Sequence, residues 1–171
     1  VMQFDGVTWR PIRIPNTTTV RSLAVSPNNR IYVGAVGEIG YLQPDENGTT
    51  VYVSLLDQLS DDQRGFADVW RIYSRGDSVY FSTFLKVLRY SKDGFKMWTS
   101  NSSFHSTFAV RDQFFVRERG TGLLELRDDK LSLVPGGEIF ADERIYAMVA
   151  FNDHNNSKKV VIGTRSSGWF I

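Results

Sequence analysis

A pattern of short apolar runs separated by turns recurs along this chain, and it constrains the fold more than any other feature. Its clearest copy, residues 20–42, reads VRSLAVSPNNRIYVGAVGEIGYL and holds three apolar runs, separated by the turn SPNN and by a glycine-containing loop. Weaker copies follow, and their equivalent residues Leu23, Ile72, Phe108 and Met148 stand 49, 36 and 40 residues apart. A repeat of about 40 to 45 residues that contains four strands is typical of a propeller blade.

A fourth apolar run completes each of the first three copies. The runs VYVSLL, FKMWT and KLSLV follow the turns QPDENGTT, SKDG and RDD, whose Asp, Asn and Gly residues favour tight reversals. The sequence therefore predicts an all-β fold: a partial β-propeller over residues 1–171, with about four four-stranded antiparallel blades of which the first and last are incomplete. The predicted parts are the outer strands of a preceding blade at 1–14, blades at 20–56, 69–99 and 106–134, and a truncated blade at 144–171.

Bulky residues lie on both faces of the predicted strands, as in Ile31-Tyr32-Val33 and Val79-Tyr80-Phe81. A sheet with one solvated face would alternate apolar and polar residues instead. Face-to-face stacking of blades buries both sides, and it accounts for the 13% aromatic content without a cofactor. One short helical turn is expected within residues 55–64.

Composition and charge exclude several classes of function. The 20 Lys and Arg residues balance 19 Asp and Glu residues, and they are scattered, so the sequence favours neither nucleic-acid binding nor membrane contact. The chain has no cysteine, which excludes disulfides and thiolate chemistry. No apolar run approaches the ~18 residues of a membrane span.

Catalytic and metal-binding patterns are also missing from the sequence. His105 and His154 are the two histidines, and neither has further ligand residues at the short spacing that metal sites use. The acidic turn DENG lacks the length and the terminal Glu of a calcium loop. We therefore predict no catalytic residue, no metal site and no cofactor.

Four segments carry a resemblance to a known family. RIYVGAVGEIGYL and VVIGTRSSGWF resemble the two-component regulator propeller repeat, and FADVWRIYSRGDSVYFST and GTGLLEL look like the same family. The second and third copies depart from the pattern, with Ser82-Thr83 and residues 118–120 in place of the expected glycine signals. The resemblance implies a periplasmic sensor segment of a bacterial signal-transduction regulator whose histidine kinase or helix-turn-helix output lies elsewhere. It also implies recognition of carbohydrate fragments.

Blade topology indicates where a ligand would bind. The loops between second and third strands and the connections between blades share one side of a propeller, and loops on a rigid scaffold concentrate binding residues. The planar guanidinium groups of arginine donate several hydrogen bonds, and aromatic rings stack on sugar faces. Together they suit an anionic or polyhydroxylated ligand such as an oligosaccharide. An alternative remains open, in which these residues form ion pairs and blade interfaces only. The predicted ligand-binding residues are Glu38, Arg64, Asp68, Trp70, Phe84, Arg117, Arg119 and Arg165.

Three functions follow from these observations. The first is a non-catalytic sensor module, the second a propeller enzyme that acts on polysaccharide or lactone, and the third a structural module for protein contact. Because Val1 and Ile171 both lie in strand-like sequence, we expect a segment of a longer protein. Open blade edges and uncovered blade faces would then favour self-association, or packing on further blades of the same protein.

Overall fold

The computed structural model of the protein describes residues 1–152 and 158–171. The chain forms two compact units, Val1–Thr99 and Ser100–Ile171. Both units consist almost wholly of antiparallel β-sheet. Neither of the two short 3-10 helices in the described residues has the length or apolarity needed to cross a bilayer.

The first unit holds a two-stranded hairpin and two four-stranded sheets, each with its strands in sequence order. One 3-10 turn, Leu56–Gln58, lies in the segment that joins the two sheets, within the region where a helical turn is predicted. The strands are β1 (Met2–Phe4), β2 (Trp9–Pro11), β3 (Val20–Val25), β4 (Ile31–Ala35), β5 (Glu38–Pro44), β6 (Thr50–Ser54), β7 (Arg71–Arg75), β8 (Ser78–Ser82), β9 (Lys86–Ser91) and β10 (Gly94–Thr99).

The second unit holds a four-stranded and a three-stranded sheet. A second 3-10 helix, Gly137–Phe140, which is not predicted from the sequence, joins them. The strands are β11 (Phe104–Val110), β12 (Gln113–Glu118), β13 (Gly122–Arg127), β14 (Lys130–Leu133), β15 (Ile145–Asn152), β16 (Lys158–Thr164) and β17 (Trp169–Phe170). The predicted all-β class and the four-stranded antiparallel sheets are thus confirmed.

Turn chemistry explains why successive strands reverse and pair. In the SPNN turn, the Ser26 N–H donates to the Arg30 carbonyl at 2.9 Å, and the Asn29 N–H donates to the Ser26 carbonyl at 2.9 Å. Asn29 has φ of +60°, a left-handed conformation that Asn tolerates better than most residues. The turn closes β3 onto β4 and fixes the register in which Val25 faces Ile31.

Both faces of the β3–β6 sheet make apolar contacts in the first unit, although Leu23 and Val25 on the Val33 face remain more than half exposed. Tyr32 and Ile39 pack on the β7–β10 sheet, where Phe81 and Leu88 are fully buried. The opposite face, with Val33 at its centre, packs on the hairpin through Ile12. The strands therefore need apolar residues at consecutive positions, as the sequence has them.

In the second unit the core lies between its two sheets. Phe108 and Phe115 of the β11–β14 sheet pack with Met148 and Ile162 of the β15–β17 sheet, and Phe140 of the 3-10 helix closes the cluster. The first strands of the two sheets, β11 and β15, lie side by side. In the first unit β3 and β7 do the same. Within each unit, successive sheets are therefore stacked with their first strands adjacent.

Candidate functional site

In the first unit, the β4–β5 loop and the segment between the two sheets meet at one end of the sheets. The Gly37 N–H donates to the Ala67 carbonyl at 2.9 Å, and the Val69 N–H donates to the Ala35 carbonyl at 3.2 Å. Lys86, at the start of β9, donates through Nζ to the Arg64 carbonyl at 2.6 Å. We call this part of the first unit, residues 36–37, 62–70 and 83–86, the loop end.

A close approach at Gly34 fixes the position of the loop end against the sheet. A Cβ atom at Gly34 would lie 2.6 Å from Val69 Cγ1 and 2.7 Å from Ser22 Oγ. The Ser22 hydroxyl also donates to the Val69 carbonyl at 2.6 Å. Because glycine allows this contact, Val69 is buried against β4, and its neighbours Asp68 and Trp70 are held at the surface.

Three side chains form a cluster at the loop end. Arg21 Nε donates to Asp68 Oδ1 at 2.5 Å. The Arg21 guanidinium also lies over the Trp70 ring, 4.9 Å from the ring centroid. Asp68 and Trp70 are among the residues predicted from the sequence, whereas Arg21, which contacts both of them from β3, is not.

The cluster is accessible to solvent, and some of its hydrogen-bond donors have no partner among the described residues. Trp70 is 52% exposed. The Arg21 and Asp68 side chains are 38% and 24% exposed, so their ion pair is worth at most about 1 kcal/mol to stability. No described residue accepts a hydrogen bond from the terminal nitrogens of Arg21. The cluster thus offers a planar donor, a carboxylate acceptor and an aromatic ring within one small area.

Two further predicted residues lie at the same loop end. Phe84 is 54% exposed in the β8–β9 loop, next to Leu85 at 47%. Arg64 is exposed, and its Nε donates to the Leu59 carbonyl at 3.2 Å. Both residues are therefore on the surface, as a binding role requires.

Glu38 is placed differently, because its side chain is only 2% exposed. Its Oε1 accepts hydrogen bonds from the Tyr52 hydroxyl at 3.0 Å and from the Ser54 hydroxyl at 2.7 Å. Burial, together with the adjacent carboxylate, raises the pKa of the Tyr52 phenol. The carboxylate of Glu38 thus joins β5 to β6, and it presents little surface to a ligand.

Arg117 of the second unit is also internal, at 3% exposure. Its Nε donates to the Phe140 carbonyl at 2.9 Å, and its Nη2 donates to the Ala141 carbonyl. Burial lowers the pKa of its guanidinium. Arg117 therefore donates to two carbonyl groups at the end of the 3-10 helix, and the Ala141 carbonyl also accepts from the Gly120 N–H at 2.9 Å.

Arg119 and Arg165 have exposed side chains in the second unit. The Arg119 N–H donates to the Ser103 carbonyl at 3.0 Å, and the Arg165 N–H donates to the Arg144 carbonyl at 2.9 Å. These bonds join each loop between a second and third strand to a neighbouring segment. The loops of the second unit are thus organised as in the first, with arginines at the surface.

Glu143 supports the β16–β17 loop through one carboxylate. Its Oε1 accepts from the backbone N–H groups of Arg144, Arg165 and Ser166 at 3.0 to 3.1 Å, and its Oε2 accepts from the Ser167 hydroxyl at 2.7 Å. Hydrogen bonding, first of all from Ser167, lowers the pKa of Glu143. The Glu143 carboxylate is therefore already engaged in hydrogen bonds to the β16–β17 loop.

Within residues 1–152 and 158–171, no group of three or more His, Asp or Glu side chains is placed to hold a metal ion. His105 is half-buried, with its ring 5.8 Å from that of Tyr146. His154, for which the sequence predicts no ligand role, lies outside the described residues.

A cavity of about 470 Å³ lies apart from these residues, between the hairpin and β3. None of the predicted ligand-binding residues lines it. Its walls are mainly apolar and carry one charged side chain, Arg13. Since a polar ligand needs several converging polar groups, the loop end is the better candidate in the first unit. The cavity is lined by Val1, Met2, Pro11, Ile12, Arg13, Ile14, Thr17, Thr18 and Val20.

Comparison with known proteins defines the fold more than the function. The chain matches no family model and no curated protein sequence. The resemblance to the two-component regulator propeller repeat therefore remains a prediction.

Similar solved structures exist, and they are β-propeller proteins. Selenomethionine-substituted virginiamycin B lyase from Staphylococcus aureus is 16% identical, with a TM-score of 0.51 over 88% of this chain and 54% of that chain. A catalytically inactive variant of that lyase with quinupristin is 16% identical, with a TM-score of 0.54 over 92% of this chain and 56% of that chain. The chain spans just over half the length of these structures. At this identity the similarity concerns the fold alone.

Proposed function

We propose that the chain is a β-propeller fragment of about four blades, the first and last incomplete, that binds a polar ligand without catalysing a reaction. The ligand is carbohydrate-derived, and it binds on the side where the loops between second and third strands lie. The module belongs to the extracytoplasmic, periplasmic sensor segment of a bacterial signal-transduction regulator. Ligand binding would shift a conformational equilibrium that an output domain elsewhere in the regulator detects.

The arrangement of Arg21, Asp68 and Trp70 carries this proposal. A half-exposed tryptophan ring offers an apolar face to the C–H side of a sugar. Asp68 accepts hydrogen bonds from hydroxyl groups, and the terminal nitrogens of Arg21 donate to hydroxyl or carboxylate oxygens. A mixed polar and aromatic surface of this kind fits a polyhydroxylated ligand better than an apolar one.

Calorimetric titration with a panel of neutral and acidic oligosaccharides tests the proposal. We expect Trp70→Ala to weaken binding of the best ligand about ten-fold or more, because stacking area and the cation–π partner of Arg21 are both lost. Asp68→Asn should weaken it less, since one amide oxygen still accepts a hydrogen bond.

The matched control is Arg30→Ala. Arg30 also lies over an aromatic ring, that of Tyr41 at 4.3 Å, but next to the β3–β4 turn at the other end of the sheet. This variant should bind like the wild type. Equal loss of affinity in Trp70→Ala and Arg30→Ala, or no binding by any member of the panel, would contradict the proposal.

A propeller enzyme is the second candidate, and one observation favours it. The carboxylate of Glu38 lies 3.0 Å from the Tyr52 hydroxyl, and paired groups of this type recur in acid–base chemistry, but Glu38 is 2% exposed, so an enzyme would have to open this site to its substrate. Similarity to a lyase in fold adds no evidence for activity at 16% identity. Turnover of a polysaccharide or lactone that disappears in Glu38→Gln, with or without added divalent metal, would replace the sensor proposal by this one.

A further inference from the structure

Strands β3 and β11 each contain a bulge near their start, and the two bulges correspond. The pairing of β3 with β4 skips Arg21, and the pairing of β11 with β12 skips His105. A β-bulge redirects the side chain of the extra residue, so neither side chain follows the regular alternation of its strand. Arg21 in the first unit and His105 in the second therefore hold equivalent positions.

A serine after each bulge binds the next sheet of its unit. The Ser22 hydroxyl donates to the Val69 carbonyl at 2.6 Å, and the Ser106 hydroxyl donates to the Ile145 carbonyl at 2.9 Å. Val69 and Ile145 are both 0% exposed. The junction between sheets is thus built in the same way in both units.

An exposed aromatic residue follows the buried residue in both units, and its ring contacts the side chain at the bulge. Trp70 lies under the Arg21 guanidinium, and the Tyr146 ring lies 5.8 Å from the His105 ring at an angle of 87°. Trp70 is 52% exposed and Tyr146 is 53% exposed. Since His105 belongs to β11, this contact places the Tyr146 ring beside the β11–β14 sheet and not on the outer face of the β15–β17 sheet.

The two clusters differ in charge at the residue that precedes the buried one. In the first unit this residue is Asp68, whose carboxylate pairs with Arg21. In the second unit it is Arg144, which is exposed. The Arg144 carbonyl accepts from the Arg165 N–H at 2.9 Å, so a second exposed arginine begins at the same place. Neither the Arg144 nor the Arg165 guanidinium donates a hydrogen bond within the described part of the chain.

Two acidic residues precede Arg144 in the sequence, and both interact with other groups. The Glu143 carboxylate accepts from backbone N–H groups of the β16–β17 loop and from the Ser167 hydroxyl. The charge of Asp142 acts on the buried guanidinium of Arg117. The second cluster therefore offers an aromatic ring and two arginines, whereas the first offers a carboxylate as well.

We propose that Tyr146, Arg144 and Arg165 form a second ligand site, which binds the carboxylate of an acidic sugar. The Tyr146 ring, held by its contact with His105, stacks on the apolar face of the sugar. The arginines donate planar, paired hydrogen bonds that match the two oxygens of a carboxylate. This inference rests on the proposed function for the class of ligand, but it concerns other residues in the other unit. Because a tyrosine ring offers less stacking area than a tryptophan ring, the second site is the weaker of the two.

NMR titration of the ¹⁵N-labelled chain with trigalacturonic acid and with its carboxyl-reduced, neutral form tests the second site. The acidic trimer should move the backbone amides of Ser106, Tyr146 and Arg165. It should bind there at least about five-fold more tightly than the neutral trimer, because only the acidic one carries carboxylates. Tyr146→Ala should weaken this binding about ten-fold through the loss of stacking. The spread of the remaining amide signals shows whether each variant is folded.

Arginine substitutions separate charge at the site from charge elsewhere on the surface. Arg144→Ser should weaken binding of the acidic trimer at least about five-fold. The matched control is Arg127→Ser, because Arg127 is 67% exposed in the same unit but lies next to the β13–β14 turn, where it pairs with Glu125. This control should bind like the wild type. Arg144→Asp gives the second cluster the carboxylate that Asp68 provides in the first, and it should remove the preference for the acidic trimer.

Amides of the second unit that stay unmoved by the acidic trimer would overturn the inference. Equal affinity for the two trimers, or equal effects of Arg144→Ser and Arg127→Ser, would overturn it as well. The proposed function is decided separately at Trp70. Ligand binding at Trp70 without shift changes at Tyr146 would leave that function standing and remove the second site, whereas shift changes at Tyr146 alone would do the reverse.

Discussion

Two glutamates, Glu38 and Glu143, have different structural roles in this chain. Glu38 is buried and accepts hydrogen bonds from two hydroxyl groups, whereas Glu143 is near the surface and accepts mainly from backbone N–H groups. Buried polar groups need such partners, because an unpaired one costs about 1 to 3 kcal/mol. Sequence position alone suggested ligand contact for Glu38, but the structure assigns its carboxylate to internal bonds.

The lowered pKa of Glu143 leads to a pH-dependent stability. A carboxyl whose pKa in the folded state is below its ordinary value of 4.5 stabilises the fold above that value, and the contribution disappears as the pH falls through the folded-state pKa. We therefore expect Glu143→Gln to lower the melting temperature near neutral pH, and the difference from wild type to close in acid. Thermal melts from neutral to acidic pH measure this.

Glu46→Gln provides the control for that series, since Glu46 lies exposed in the β5–β6 turn and makes no described hydrogen bond through its side chain. Its melting curve should follow the wild type at every pH. A destabilisation by Glu143→Gln that stays constant from neutral to acidic pH would show that the charge of Glu143 is not responsible.

Strands and turns were predictable from this sequence for a physical reason. Tight reversals need residues such as Asn29 and Gly76 that adopt positive φ, and stacked sheets need apolar residues at consecutive positions. Both requirements can be recognised in a short stretch of sequence. The 3-10 helix Gly137–Phe140 could not be recognised in this way, because a single helical turn is too short to show a hydrophobic period in the sequence. The predicted limits of the third blade also missed Phe104, the start of β11, which precedes a bulge in its pairing.

The candidate site was predictable only in part. Chain topology indicated Asp68 and Trp70, because it specifies which loops end on the same side of a sheet. Arg21 was missed because its partners are 47 and 49 residues away in the sequence, and a single arginine at the start of a strand carries no local signal. Burial of Glu38 and Arg117 depends on packing, which residue type does not reveal.

Gly34→Ala should weaken the packing of the loop end against the β3–β6 sheet. The added Cβ would lie 2.6 Å from Val69 Cγ1, so we expect a loss of about 1 to 3 kcal/mol in the free energy of unfolding. Urea denaturation measures it. Ligand affinity should fall as well, because Val69 is flanked by Asp68 and Trp70.

The double variant Gly34→Ala with Val69→Ala tests the cause. Removal of the Val69 methyl groups relieves the shortest of three close contacts and leaves Ser22 Oγ at 2.7 Å and the Cβ of residue 69 at 2.8 Å, so the two changes together should cost somewhat less than their separate effects combined. Fully additive losses would show that the Val69 methyl groups do not limit position 34, which leaves Ser22 and the backbone near residue 69 as the limiting contacts.

Each of the two units is a succession of antiparallel sheets that pack on one another, and in each unit the loops between second and third strands bond to neighbouring segments. The similarity of the chain to β-propeller structures at 16% identity supports the fold, while the proposed ligand binding depends on side chains such as Arg21 and Trp70.

Chemical-shift mapping by NMR tests the central claim most directly. The ¹⁵N-labelled chain is titrated with the oligosaccharide that binds best in the calorimetric panel. We predict that the largest shift changes occur at the Trp70 indole N–H and at the backbone amides of residues 36–37 and 66–71. Changes confined to the turns at the opposite end of the sheets, residues 27–30 and 75–78, with the Trp70 indole unmoved, would contradict it.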